Sequence, residues 1–270
     1  MFEVAKLELL IAKRNLWVAI SITLMVLFTL VLTLAGSAPT GTLGVDPIII
    51  AATSITTLSV YFVPLLALLL SFDAISGEIE RGTLALSLTY PLSRAEILFG
   101  KFLAQLAVLA VAIGLALLLT AIISLLLNKG VSMSFTPLIW LFFTSILLGA
   151  SFLGLGYMVS ALVRQPSVAS GLAIVIWLVL VILYDIGLLG ALVADNGGFF
   201  TKSIFPWLLV FNPADAFRLL NMPDIANNVL SSGLGAAKSV TNNIYSFISL
   251  LLWPAISLLL AWLVFRKVEP

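Results

Sequence analysis

Long apolar runs alternate with short polar stretches along the 270-residue chain. A helix needs roughly 20 apolar residues to cross a bilayer, and six runs meet that length. All 13 lysines and arginines fall outside these runs, which supports the division. The pattern predicts an all-α integral membrane protein with six transmembrane helices, in one domain covering residues 1–270. The predicted spans are 16–35, 48–71, 102–127, 138–162, 168–194 and 246–265.

The composition excludes a soluble globular domain. Hydrophobic residues make up 62% of the chain and charged residues 9%, whereas a soluble domain carries about 25% charged residues. The net charge is +1. Since the basic residues are scattered rather than gathered in a stripe, we expect no nucleic-acid partner.

The residue types that usually bind transition metals are scarce. The chain has no cysteine and no histidine, which zinc sites normally require. Its methionines are dispersed, which disfavours a site for soft copper ions. We therefore expect no metal site, no cofactor and no catalytic residues in this chain. The methionines are Met1, Met25, Met133, Met158 and Met222.

The distribution of positive charge predicts the orientation. Four short regions on one side of a six-span chain hold nine lysines and arginines, whereas the short loops on the other side hold one, Lys129. Because basic loops stay in the cytoplasm, both termini and the loop 72–101 are predicted to be cytoplasmic, and the long loop 195–245 to lie outside. A cleaved signal peptide is the alternative for the start of the chain. It is disfavoured because the run from Leu16 to Ala35 is long and Pro39 follows the small residues.

The first residues, FEVAKLELLIAKRN, are modestly amphipathic. They predict an elbow helix that lies in the membrane interface and leads into the first span. The alternative is a solvated run that only supplies positive charge, because Glu8 and Leu10 interrupt the apolar face.

The loop 72–101 interrupts two apolar spans with charged residues. DAISGEIERG predicts a short polar helix that is closed by Gly82. Pro91 ends the apolar stretch that follows, and Ser93 and Glu96 have the S-x-x-E spacing of a capping box, which predicts the start of the next helix. The loop is therefore predicted to be two ordered helical pieces at the membrane surface.

GEIERGTLALSLTYPLSRAEILFGKFL, from Gly77 onward, resembles the cytoplasmic signature of the ABC exporter permeases of the second type, roughly G-E-x-E-x-G-T…P-x-S-R…G-K. The resemblance implies a type V-like permease fold, a homodimer, and a cytoplasmic coupling helix that docks on two copies of a separate ATPase subunit. ATP and magnesium would bind that subunit. Gly100-Lys101 is followed by Phe102, so this chain has no phosphate-binding loop there. The implied ATPase contacts are Glu78, Glu80, Arg81, Gly82 and Thr83.

A second stretch, LVFNPADAFRLLNM, resembles the outer segment of the NosY-type permeases, which serve the maturation of nitrous oxide reductase. This resemblance implies a multi-pass protein of the bacterial inner membrane that supports copper-site assembly, by transport or by mechanical coupling. It also implies a periplasmic β-helical partner. We place the partner contact at Asn212, Pro213, Asp215 and Arg218.

Three alternatives compete with that function. An ABC-2 exporter of another small molecule or a lipid would share the signature of the charged loop. An ion-coupled carrier would need a charge in the middle of the membrane, whereas Asp185 is predicted near the outer boundary. A membrane-embedded enzyme would need convergent acids or a histidine or cysteine, and no such convergence is expected. Gly149, Gly154 and Gly156 are expected to serve close helix packing within the chain.

Overall fold

The computed structural model describes residues 16–36, 47–84, 93–127, 134–195, 198–221 and 243–268. These ranges are helical and contain no strand, as the apolar pattern predicts. The predicted elbow helix and the segment 222–242 lie outside the described residues. The helices are α1 Leu16–Gly36, α2 Pro47–Ser71, α3 Ser76–Glu80, α4 Arg94–Leu127, α5 Thr136–Leu162, α6 Pro166–Asp195, α7 Phe200–Phe211, α8 Pro213–Asn221 and α9 Asn243–Phe265.

Five helices in the described ranges are long and apolar enough to cross a membrane: α2 with α3, α4, α5, α6 and α9. They correspond to the last five predicted spans. Helix α1 runs 21 residues over the first predicted span, while its described apolar side chains form a shorter stretch, Ile22–Val31. The multi-pass architecture is therefore confirmed, and the count of six spans remains a prediction.

The predicted helix boundaries follow from specific caps. At the start of α4, Ser93 N and Ser93 Oγ each donate to Glu96 Oε2 at 2.8 Å, and Glu96 N donates back to Ser93 Oγ at 3.2 Å. This is a complete capping box. Gly82 has φ of 68°, the left-handed conformation that ends α3. At the start of α8, Ala214 N donates to Asn212 Oδ1 at 2.9 Å and Pro213 is the first helical residue.

Helix α5 lies at the centre of the bundle, packed against α9, α2 and α4. Its glycines explain this position, because each faces a different neighbour. A Cβ at Gly154 would clash with Ser257 Oγ of α9, and one at Gly156 with Ser71 Oγ of α2. Gly149 faces Leu109 of α4 in the same way. The expected close packing within the chain is confirmed.

Helix α6 lies at the edge and buries few of its residues, among them Ala169 and Val181. Its middle turn, Leu178–Leu183, is π-helical. Just before this turn, Trp177 Nε1 joins α6 to α2 by donating a hydrogen bond to Tyr61 O at 2.9 Å. Beyond α6 the chain folds back as α7 and α8, and α8 packs between α9, α5 and α2.

Candidate functional site

The charged loop (residues 72–101) rests on the end of the central helix. Ser160 Oγ, in the last turns of α5, accepts hydrogen bonds from Ile75 N at 2.9 Å and Ser76 N at 3.0 Å. Both amides belong to the unpaired N-terminal groups of α3, which need an acceptor when they are buried. Ser76 and Gly77 are buried. The short helix α3 is thus attached to the core rather than suspended from it.

The two ends of the loop signature meet in an ion pair. Lys101 Nζ lies 2.9 Å from Glu78 Oε1, and the two side chains are only 10% and 16% exposed. The pair connects α3 with the second turn of α4 across 23 residues of sequence. Glu78 is therefore directed into its own chain, which differs from the exposed position expected of a docking contact.

The other predicted contacts form an exposed rim, defined here as Glu80, Arg81, Gly82 and Thr83. All four are exposed, and Arg81 N still donates to Gly77 O at 3.1 Å. Thr83 Oγ1 donates to Glu78 O at 3.4 Å. The rim is thus a helix C-terminus with two opposite charges. Pro91 and the rest of 85–92 lie outside the described residues.

Arg94 supports the same end of the molecule, a role that the motif alone did not suggest. Its Nη1 donates to Phe265 O at 2.9 Å, Arg266 O at 3.1 Å and Val268 O at 2.6 Å. These carbonyls belong to the C-terminal end of α9, where the last carbonyls of a helix lack partners. A cation at a helix C-terminus also opposes the negative end of the helix dipole. The start of α4 and the end of α9 are therefore held together by one guanidinium.

At the opposite end, the residues predicted to contact a periplasmic partner lie mostly inside the chain. Asn212, Pro213 and Asp215 are buried, and Arg218 is partly buried. Asn212 Nδ2 donates to Leu180 O, in the π-helical turn of α6, at 2.7 Å. The structure thus gives these side chains partners in their own chain, and their contact with another protein remains a prediction.

Three charged residues meet there, named here the Arg218 cluster: Asp185, Asp215 and Arg218. Arg218 Nη1 donates to Asp215 Oδ1 at 2.8 Å, and Arg218 Nη2 donates to Asp185 Oδ2 at 2.9 Å. The expectation that no acids converge was therefore wrong. The i,i+3 spacing of Asp215 and Arg218 could have indicated their pair, but nothing in the sequence indicated that Asp185, 30 residues earlier, would join them.

The remaining polar contacts of α8 also point inward. Asn221 Nδ2 donates to Thr144 Oγ1 of α5 at 3.0 Å, and Trp140 Nε1 donates to Leu220 O at 3.3 Å. Within the described ranges no three His, Cys, Asp or Glu side chains are grouped to hold a metal ion. The expected absence of a metal site remains a prediction.

Comparison with known proteins identifies the type of molecule to which these features belong. A family model described as "ABC-2 family transporter protein" matches residues 3–269. A "Probable ABC transporter permease protein NosY" of Stutzerimonas stutzeri is 37% identical over 273 residues, covering 98% of each chain. A protein of the same name from Pseudomonas aeruginosa strain PAO1 is 35% identical over 274 residues, again covering 98% of each chain. The chain therefore belongs to the ABC-2 family of transporters, as a permease subunit similar to NosY.

Proposed function

We propose that this permease works as two copies with two separate ATPase subunits, and supports copper-site maturation of nitrous oxide reductase. The family supports an ATPase partner, and the name NosY, carried by both relatives, supports the maturation role. The proposed setting is the bacterial inner membrane, with both termini in the cytoplasm. The complex transports a copper-site precursor or moves a periplasmic β-helical partner. ATP and magnesium bind the ATPase, and this chain carries neither cofactor.

The ATPase coupling is supported by one contrast within the charged loop. Helix α3 is firmly attached to the core of the chain, whereas the rim at its C-terminal end is exposed. Ser160 and the Glu78–Lys101 pair fix α3 to α5 and α4. The rim beyond them, Glu80 to Thr83, is exposed and carries opposite charges. A protrusion that is rigidly attached transmits a displacement to the helices below it, whereas a flexible one absorbs it. We propose that the rim docks on the ATPase and that Glu78 acts through Lys101 to position it.

The ATPase coupling can be tested by charge reversal with a matched rescue. The E80K/R81E permease should reach the membrane at wild-type level. The amount of ATPase that co-purifies with it (ATPase retention) should fall at least about tenfold, because charges that lose water at an interface contribute strongly to binding. E78K should also weaken retention, and the swap E78K/K101E should restore it, because the internal pair is re-formed with reversed polarity. If the swap folds but does not restore retention, Glu78 contacts the ATPase directly. If E80K/R81E retains the ATPase as the wild type does, the rim is not the docking site.

The maturation role needs a separate experiment. The chain is expressed in a denitrifying bacterium that lacks its own NosY-type permease, and the copper content of nitrous oxide reductase is measured. Copper-replete enzyme is expected with the wild-type chain and copper-poor enzyme with E80K/R81E. Copper-poor enzyme with a wild-type chain that retains the host ATPase would indicate an ABC-2 exporter of another substrate.

A partner on the opposite side would meet the exposed faces of α7 rather than the buried residues of α8. Phe199, Trp207 and Phe211 are exposed, and a groove of about 500 Å³ between α7 and α9 is lined by Trp207, Phe211 and Trp253 among others. Asn212, Asp215 and Arg218 would then support that surface from behind. Phe199→Ser is expected to weaken co-purification with the periplasmic protein while ATPase retention is unchanged. The amide-rich stretch 224–243, also predicted to take part, lies outside the described residues except for its last position.

A further inference from the structure

The Arg218 cluster contains one positive and two negative side chains in an environment largely closed to water. Asp215 is fully buried, while the side chains of Asp185 and Arg218 are each 23% exposed. If both carboxyls are ionised, the cluster has a net charge of −1. An uncompensated charge in a buried site is unfavourable, and such groups commonly take up a proton instead.

One atom of the cluster lacks a hydrogen-bond donor. Asp215 Oδ1 accepts from Arg218, but Asp215 Oδ2 is buried and has no partner among the described residues. Asp185 and Asp215 accept from the two terminal nitrogens of the same guanidinium, so their carboxyls lie next to each other around Arg218. Two ionised carboxylates cannot bond to each other, because neither has a proton to donate. A single proton between them would satisfy the unpartnered oxygen and remove the excess charge.

Lys202 of the adjacent helix α7 is exposed, and the described residues of α2, α5, α6 and α9 include no lysine or arginine. Tyr184 of α6 donates its hydroxyl proton to Leu208 O at 2.8 Å, so that proton is directed away from the acids. Tyr61 of α2 is the other titratable group facing the cluster. Helices α5 and α9 have no charged residue. The tyrosines of α5 and α9, Tyr157 and Tyr245, lie against Phe102 and Trp207.

The electrostatic environment of Asp215 agrees with this geometry. Burial raises the pKa of Asp215 to about 8, and the Asp185 charge acts in the same direction, against the opposing effect of Arg218.

We propose that the Asp185–Asp215–Arg218 cluster is a proton-binding site, in which one proton held between the two carboxyls keeps α8 docked on α6. Among the described residues, two contacts join α8 and its N-cap to α6: the Asn212–Leu180 hydrogen bond and the Arg218–Asp185 pair. Only the second contact depends on protonation. The site binds its proton whatever the complex transports, so this inference stands independently of the maturation role.

The sign of the pH dependence follows from linkage. The Asp215 carboxyl has a pKa of about 3.9 when unfolded and about 8 when folded. Between these values the folded state holds the extra proton, so the free energy of unfolding falls as pH rises and then levels off above about 8. One proton corresponds to about a tenfold change in the unfolding equilibrium constant per pH unit.

The test uses the full-length chain in lipid nanodiscs, with two readouts. Infrared spectroscopy should show a protonated carboxyl C=O band at neutral pH that disappears above the pKa of Asp215 and is absent in D215N. Thermal unfolding should show a midpoint that falls with rising pH in the wild type and is flat over the same range in D215N, because the amide mimics the protonated acid. D195N is the matched control, since Asp195 ends α6, the helix that holds Asp185, and accepts a hydrogen bond from Thr201 N. It should keep both the band and the slope.

A third variant, D185N, distinguishes a proton shared by the two carboxyls from a proton held by the buried Asp215 alone. In D185N the guanidinium faces one carboxylate, so Asp215 should ionise and the neutral-pH band should be lost even though Asp215 is present. Persistence of the band in D185N would show that the proton belongs to Asp215 alone and would overturn the shared site. Absence of a band in the wild type at neutral pH, or an unchanged pH slope in D215N, would overturn the proton site itself. The wild-type spectrum decides this point even if a variant fails to fold.

Discussion

The two charged regions lie toward opposite ends of the central helix α5 and satisfy their charges differently. Ser160 at one end and Thr144 at the other are about 24 Å apart along the helix. In the charged loop, Lys101 pairs with Glu78, and Arg94 bonds to neutral carbonyls. In the Arg218 cluster, one cation is shared by two acids and a carboxylate oxygen has no donor. The first region therefore holds a fixed shape, while the stability of the second depends on protonation.

The largest effect is expected from removing the shared cation. Arg218→Gln leaves two carboxyls facing each other in a largely buried site. Breaking a buried ion pair is strongly destabilising, and after allowance for the partial exposure of Arg218 we expect a loss of about 3 kcal/mol. Unfolding in nanodiscs would measure it, with K202Q as the control at an exposed lysine in the first, π-helical part of α7. A loss in R218Q no greater than in K202Q would show that the cluster does not hold α8.

Arg94→Gln tests whether the charged loop depends on Arg94 as strongly as the other region depends on Arg218. The substitution removes the charged donor from three carbonyls at the end of α9. Since hydrogen bonds to charged groups contribute about 1.5–3 kcal/mol, we expect a loss near the middle of that range. Amide hydrogen exchange should become faster in the last turn of α9. The control is R266Q, because Arg266 stacks on Trp262 at 5.0 Å and is exposed. Equal exchange in the two variants would contradict the capping role.

The sequence predicted the helices and their boundaries better than the side-chain contacts between helices. The helix α5, Thr136–Leu162, matches its predicted span within two residues, because apolar length and a proline at the start define it. Helix α4 begins at Arg94, eight residues before the predicted span, because the capping box rather than the membrane determines where a helix starts. Counting helical rise predicts Asp185 near the outer boundary of the membrane, and that depth stays a prediction. Its partner Arg218 could not be predicted, because that contact depends on how the chain folds back after α6.

A double-mutant cycle on Glu78 and Lys101 measures how much the ion pair of the charged loop contributes to stability, for comparison with the Arg218 cluster. Glu78 and Lys101 form a mostly buried ion pair, so E78Q/K101M should be less destabilising than the sum of its single changes. Neighbouring residues couple by about 0.5–3 kcal/mol, and we expect about 1.5 kcal/mol for this mostly buried pair. Thermal unfolding of the four proteins measures the coupling. Additive effects would mean that the pair contributes nothing to the position of α3.

The smallest effect is expected at Ser93, where the charged loop meets water. Ser93→Ala removes the side chain that accepts from Glu96 N and donates to its carboxylate. Replacement of an N-cap serine by alanine destabilises a helix by about 0.5–2 kcal/mol. We expect about 1 kcal/mol, because Ser93 N still donates to Glu96 Oε2. Hydrogen exchange in the first turn of α4 should increase while the Arg218 cluster keeps its pH dependence, since the two regions share no residue. Ser93→Thr is the matched control and should keep wild-type exchange. If Ser93→Ala changed the pH slope, the two ends of α5 would be coupled and could no longer be treated as separate regions.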